Sequence, residues 1–330
     1  MEFPWHLYLL AMTGAGLFTL ATLPLWRIWC GRTGHVDAPG HRKIHQEPIP
    51  LAGGLAVITG MIVPVFAGLL VIQWQLLDSE TAARLMHGLG RRGGQLGVVL
   101  AGAIGMVVLG WMDDRWELKP SVKLGGQLLV AAAVAVAGVR ITLFVPSLLF
   151  SYAVTVLWIL TVINAFNFMD NMNGLCAGLG AIGAFFCGLA AAIHGQYLVA
   201  LVAMLTLGAL LGFLPYNYPR ASAFLGDAGS HLVGYLLAVL AILPHFHSAQ
   251  HPHPWAVLSP LLILGVPLFD LAWVVILRWR LGQPFYVGDN NHLSHRLVRR
   301  GWSRAGAVAL IWLLAAMSGG VSLVLQFGGR

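Results

Sequence analysis

Ten apolar segments constrain this chain more than anything else in it. They fall near residues 5–26, 51–73, 95–112, 124–138, 151–169, 176–193, 197–213, 231–244, 256–277 and 305–326. Most approach the roughly 20 residues that a helix needs to cross the hydrocarbon of a bilayer. Segment 124–138 is the weakest of them. The stretch 139–150 contains Pro146 and is too short to cross, so it reads as a hairpin or loop at the membrane surface. With 330 residues, 58% of them apolar, and no soluble stretch long enough for a second unit, the expectation is one integral domain over 1–330. The fold class is all-α, a polytopic membrane protein of about ten transmembrane helices.

Lysine and arginine orient the bundle. With ten crossings, one set of loops carries fourteen of the 19 basic residues and the other set carries Arg84, Arg91, Arg92, Arg140 and Arg330. The first set is expected to face the cytoplasm and both termini the outside. The first apolar segment lacks a basic leader and a small-residue cleavage site, so it reads as a retained helix. Cys30, Cys176 and Cys187 have no metal-binding spacing and read as packing residues. No nucleic-acid motif accompanies the net charge of +7. The positive excess follows from orientation, and it also suits anionic lipid heads and nucleotides.

Carboxylates in or beside membrane segments are costly, yet the polar blocks gather on the basic side. The first loop runs from Asp37 through Arg42, Lys43 and His45 to Gly53-Gly54, and its cations suit phosphate. Next come Asp113 and Asp114 at a helix end, followed by Lys119 and Lys123. Neighbouring helical residues do not face the same way, so the two carboxylates are expected to have different roles. Asn164, Asn167 and Asn171 recur at helical spacing with Asp170 beside them, a stripe suited to a sugar, a base edge or a hydrated metal. Asp227, between Gly226 and Gly229, reads equally as a helix cap or as a hard oxygen ligand for Mg²⁺. His292, His295 and Arg296 close the series, and phosphate is favoured over zinc because no third zinc ligand is near. Asp270 reads as structural, paired with an arginine. Four histidines, His245, His247, His251 and His253, fall in an outer loop on the wrong face for the site.

Taken in order, these blocks resemble the polyprenyl-phosphate N-acetylhexosamine-1-phosphate transferases, glycosyltransferase family 4. The likeness runs from about Asp37 to Leu297 and includes Lys123 and Gln127. It implies a Mg²⁺-dependent transfer, with Mn²⁺ as the alternative ion, of a sugar 1-phosphate from a UDP-sugar to undecaprenyl phosphate, releasing UMP. By resemblance, Asp113 and Asp114 position or deprotonate the lipid phosphate. Asp227 looks like the metal ligand, with Asp170 beside it, and Asn167 and Asp170 look like part of the nucleotide pocket. Phe224 looks like a stacking partner for uracil.

Asp113, Asp114, Asp170 and His292 are the catalytic candidates, and Asp227 and Asp170 are the metal candidates. Lys43, His45, Lys123, Asn164, Asn167, Asn173, Phe224, His295 and Arg296 are the substrate-binding candidates. Asn173 stands where the family often has a second acid, and an amide is a poor metal ligand. The loop His292-Leu-Ser-His295-Arg296-Leu297 resembles the branch that uses UDP-N-acetylglucosamine for envelope polysaccharides. The branch that takes UDP-N-acetylmuramoyl-pentapeptide is the alternative, and a nucleotide-sugar or lipid-phosphate transporter is the rival from another class. The expected setting is the bacterial inner membrane with the site facing the cytoplasm. A homodimer is admitted as an assembly.

Overall fold

The computed structural model describes residues 4–39, 47–143, 145–244, 246, 254–284 and 290–327. Helices account for almost all of it. In chain order they are α1 (Trp5–Thr33), α2 (Gly53–Gln73), α3 (Ser79–Trp116), α4 (Pro120–Val136), α5 (Leu148–Met169), α6 (Leu175–Ile193), α7 (Tyr197–Asn217) and α8 (Gly226–Ile242), then α9 (Ser259–Ile263), α10 (Gly265–Arg280), α11 (Leu293–Arg299) and α12 (Arg304–Phe327). Two short strands, β1 (Val36–Asp37) and β2 (Ile49–Pro50), pair antiparallel. Lys43, His45 and the outer-loop histidines His245, His247, His251 and His253 lie outside the described residues.

Each of the ten apolar segments is helical. Seven helices among the described residues are long and apolar enough to span a bilayer. A five-residue 3₁₀ helix at Pro254–Leu258 leads into α9 and α10, a pair bent by 72° that makes an eighth span if it is counted as one crossing. α4 and α8 are shorter apolar helices of 17 residues each. The stretch after α4 is a connection, as expected, but α5 begins earlier than its hydropathy suggested. Ser147 caps it by accepting the Phe150 amide at 3.3 Å.

α8 explains why so short a helix can be central. Every residue of it except Asp227 and Ile242 is buried, packed among α2, α3, α5 and α6. Glycines allow the approach. A Cβ on Gly110 of α3 would lie 2.3 Å from the Asp227 carbonyl oxygen, and one on Gly54 of α2 would lie 2.4 Å from the Gly229 nitrogen. These contacts are backbone to backbone, so only glycine fits. The N-terminus of α8 is thereby pressed against α2 and α3 at the basic end of the bundle.

α3 is longer than a span. Its 38 residues extend about 57 Å at about 1.5 Å per residue, against a hydrocarbon thickness of about 30 Å. Asp78 starts it, accepting the Thr81 amide at 2.8 Å, and Glu80 pairs with Arg84 one turn on. The first turns of α3 are therefore an overhang at the end opposite Asp113.

Candidate active site

Asp113 and Asp114 occupy the last turn of α3 and point to different neighbours. Asp113 turns to the α3–α4 corner, where one oxygen accepts the Leu118 amide at 2.9 Å and the other lies 2.6 Å from Lys123 Nζ. Asp114 turns to α8. Its Oδ1 accepts the Asp227 amide at 2.8 Å and its Oδ2 accepts the Ala228 amide at 3.1 Å. Free amides at a helix N-terminus favour negative charge, and Asp114 supplies it from another helix. Gly226 makes room for this with a backbone φ of 73° and no side chain; a Cβ there would be 2.7 Å from Asp114 Oδ2.

Asp227 is consequently not the cap of its own helix, which excludes the cap reading of its sequence position. Its Oδ2 meets Lys123 Nζ at 3.1 Å, and its Oδ1 accepts from Asn167 Nδ2 at 2.5 Å. Asn167 also donates to Ser230 Oγ at 3.0 Å. One lysine thus bridges Asp113 and Asp227, and one amide fixes the remaining oxygen of Asp227.

The asparagine stripe does not continue along one helix. α5 ends at Met169 and Asp170 follows it as the C-terminal cap residue, so Asn171 and Asn173 belong to the turn before α6. Asn164 faces inward and donates to Gln127 Oε1 at 2.9 Å, and Gln127 Nε2 lies 3.3 Å from His231 Nε2. This corrects the expectation for Asn164. It belongs to a buried polar chain behind the site rather than to the wall of the cavity. Asn171 accepts from Ser294 Oγ at 2.6 Å, and Asn173 donates to Pro219 O at 3.2 Å.

A cavity of about 710 Å³ opens beside Asp227. Asp114, Asn167, Asp170, Asn173, Phe224 and His295 contribute to its wall, with Arg220 and Arg304. Burial raises the Asp170 carboxyl well above the usual carboxylate range, and the charges of Asp227 and Asp114 push the same way. Among the described residues no hydrogen bond or ion pair reaches the Asp170 carboxylate. Burial lowers the His295 imidazole, and the positive charges of His292, Arg299 and Arg304 lower it further against Asp270. Phe224 is tied in place by its backbone, which donates to Pro50 O at 2.9 Å and accepts from Gly53 N at 2.9 Å.

His292 and Arg296 do not join His295 on the wall. His292 is buried, with Nδ1 2.7 Å from Asp270 Oδ2, while Asp270 Oδ1 accepts the Leu293 amide at 2.6 Å. Asp270 therefore holds the start of α11, a role its sequence context did not suggest. The Arg296 guanidinium lies 4.6 Å from the Trp273 ring centre. Lys123 lies behind Asp227 rather than on the wall. Asn217, which no local sequence signal marks, accepts the Gly174 amide and donates to Ala223 O, and Arg220 and Arg304 line the cavity although their sequence context marks them only as orienting charges. Cys30, Cys176 and Cys187 are free and buried, as expected of packing residues.

The donor set fits one kind of cation. Asp227 and Asp170 offer hard oxygens at one cavity, but no cluster of three or more metal-ligating side chains occurs among the described residues. Mg²⁺ is commonly held by one or two carboxylates together with substrate phosphates rather than by an all-protein cage, and these residues fit that pattern.

A bundle of membrane-spanning helices with carboxylates, amides and cations around one polar cavity defines an integral membrane protein with a polar site at one end of the bundle. Comparison with known proteins narrows this. Residues 96–245 match the family model described as glycosyl transferase family 4. The chain is 31% identical to the probable undecaprenyl-phosphate N-acetylglucosaminyl 1-phosphate transferase of Bacillus subtilis, covering 94% of this chain and 82% of that protein. It is 34% identical to the decaprenyl-phosphate N-acetylglucosaminephosphotransferase of Mycobacterium tuberculosis, covering 93% and 80%. To the undecaprenyl-phosphate alpha-N-acetylglucosaminyl 1-phosphate transferase of Escherichia coli K12 it is 27% identical, covering 94% and 82%. The chain belongs to glycosyl transferase family 4.

Proposed function

We propose that this protein transfers N-acetylglucosamine 1-phosphate from its UDP-sugar to a polyprenyl phosphate, releasing UMP, at the cytoplasmic face of a bacterial inner membrane. The observation that carries the reading is Asp227. It stands at the edge of the polar cavity, with one oxygen on Lys123 and the other on Asn167. The names of the relatives supply the sugar and the polyprenyl class of acceptor, and the excess of basic residues at this end of the bundle supports the cytoplasmic orientation.

The chemistry is attack by an oxygen of the lipid phosphate on the sugar-bearing phosphorus of the UDP-sugar. A new P–O bond forms, the bond to the UMP oxygen breaks, and UMP leaves with the electron pair. Both reactants are anions, so charge compensation outweighs proton transfer in importance. A phosphate monoester has its second pKa near about 6, so the nucleophile is largely ionised at neutral pH and needs no strong base. Mg²⁺ held by Asp227 and Asp170 would supply Lewis-acid compensation to the pyrophosphate. Arg220, Arg304 and His295 face the same cavity and donate to phosphate oxygens. Lys123 and Asn167 fix the Asp227 carboxylate, and Asp114 fixes the helix that carries it. Phe224 offers a ring face to the uracil.

Purified protein with Mg²⁺, undecaprenyl phosphate and UDP-N-acetylglucosamine tests the reading by UMP release. Turnover is expected, lost on chelation with EDTA and restored by added Mg²⁺. Asp227→Ala is expected to abolish it while the helical content is retained. Near-normal turnover in that variant removes the assignment of Asp227.

A further inference from the structure

A second cavity of about 400 Å³ lies at the other end of the bundle, and the transfer reaction does not use it. It is bounded by the first half of α3, the α6–α7 turn and the second half of α8. Arg91, Arg92 and His87 stand at its rim, while Leu96, Val99 and Leu240 line its inner part. Arg92 precedes Asp114 by 22 residues on one helix, which is about 33 Å at about 1.5 Å per residue. That distance is close to the hydrocarbon thickness of about 30 Å. The rim is therefore at one membrane surface when the active site is at the other, and Val99 lies below the rim at the depth of the lipid chains.

The charge of the rim is unusual for its side. Basic residues are sparse in the loops at this end, and two of the five are adjacent here. Arg84, also at this end, is paired with Glu80. Among the described residues Arg92 donates to the neutral Gln95 amide oxygen, at 3.0 Å, and pairs with no carboxylate. Among the described residues no acidic side chain contributes to the cavity. Two arginines at the rim of a largely apolar slot match one ligand chemistry, a phosphate head on an apolar chain.

We propose that this cavity is a binding site for a phosphate-headed anionic lipid entering from the outer leaflet, with the head on Arg91 and Arg92 and a chain against Leu96, Val99 and Leu240. The lipid is either an anionic phospholipid of the bilayer or a polyprenyl phosphate, and the two share the recognised chemistry. The site is separate from the catalytic cavity, so binding there stands or falls independently of the transfer reaction, and only the choice of the outer leaflet rests on the proposed orientation.

The test is titration of the full-length protein by native mass spectrometry in micelles, with phosphatidylglycerol, phosphatidylcholine or undecaprenyl phosphate added separately. Asp227→Ala serves as the background, so that occupancy does not depend on turnover. One saturable phosphatidylglycerol site is expected, weakened at least tenfold in Arg91→Gln/Arg92→Gln and kept in Arg91→Lys/Arg92→Lys. Displacement of bound phosphatidylglycerol by undecaprenyl phosphate identifies the polyprenyl carrier as a ligand of this site, and its persistence identifies the bilayer lipid. Equal binding of phosphatidylcholine, or equal affinity in the glutamine variant, overturns the proposal. A diazirine-bearing phosphatidylglycerol provides a readout on the unsubstituted protein. It should label peptides spanning 87–99 or 236–243, and labelling confined to other peptides also overturns it.

Discussion

Asp114 of α3 holds the N-terminus of α8 by its backbone, one carboxylate oxygen on the amide of Asp227 and the other on that of Ala228. Its neighbour Asp113 does something else, joining Lys123 to the α3–α4 corner. Each of the two amide bonds to this buried carboxyl contributes about 1–2 kcal/mol, between the neutral and the charged case. Asp114→Ala is therefore expected to destabilise the protein by about 2–4 kcal/mol and to lower turnover at least a hundredfold, because Asp227 moves with the helix. Thermal melting in detergent and UMP release measure the two effects. An unchanged melting temperature would show that the two amide bonds carry little.

The close approach of α3 to α8 makes a contrast between two glycines. Gly110→Ala places a methyl group 2.3 Å from the Asp227 carbonyl oxygen and 2.4 Å from the Ala228 nitrogen, both backbone atoms. Overpacking of this kind typically costs about 1–3 kcal/mol, and the displaced backbone is the one that carries Asp227. Gly125→Ala on α4 meets nothing within 4 Å. The expected result is a large loss of stability and turnover at Gly110 and none at Gly125. Equal behaviour of the two variants in melting and activity assays would contradict the packing account.

His35 follows α1, is buried, and among the described residues has no hydrogen-bond partner on either ring nitrogen. Asp114 Oδ2 is 4.0 Å away, too far for a hydrogen bond, and Trp111 flanks the ring. Burial lowers the imidazole below its ordinary value, and Arg115 lowers it further. The folded protein therefore keeps His35 neutral at a pH where the unfolded chain protonates it. Between about 6.5, the unfolded value, and the lower folded value, the unfolded state binds more protons, so stability falls as pH falls. His35→Leu should raise the melting temperature more at pH 5.5 than at pH 8. A gain independent of pH would assign it to packing alone.

Asp270→Ala leaves His292 Nδ1 and the Leu293 amide without their acceptors in a buried setting. Losing one member of a buried pair costs about 3–5 kcal/mol. Loosening α11 also frees Ser294 from Asn171, so turnover should drop with the melting temperature. A variant that melts within a degree of the unsubstituted protein would mean that α11 is held by other contacts.

The helices were legible because hydropathy runs of span length have few alternatives in a lipid solvent. The different duties of Asp113 and Asp114 were also legible, since adjacent helical residues diverge. The overhang of α3 was not, because residues 79–94 are too polar to stand out by hydropathy. The signals were local instead, the Asp78 cap and the Glu80–Arg84 pair. The asparagine stripe misled at Asn164, and Asn171 reaches the cavity wall from the turn after α5 rather than along the helix. Helical spacing cannot show that α5 stops at Met169, nor that Gln127, distant in sequence, claims the Asn164 amide. The Asp270–His292 and Asn217–Gly174 links join residues 22 and 43 apart, and no local rule announces such pairs.

Because α8 is enclosed by protein on nearly all sides, the lipid around the bundle has no direct grip on the helix that presents Asp227. Changes in membrane thickness or fluidity reach it through α2, α3 and α5, which pack against it and whose outer faces are exposed. The acidic centre is thus set one helix layer in from the lipid that surrounds the bundle.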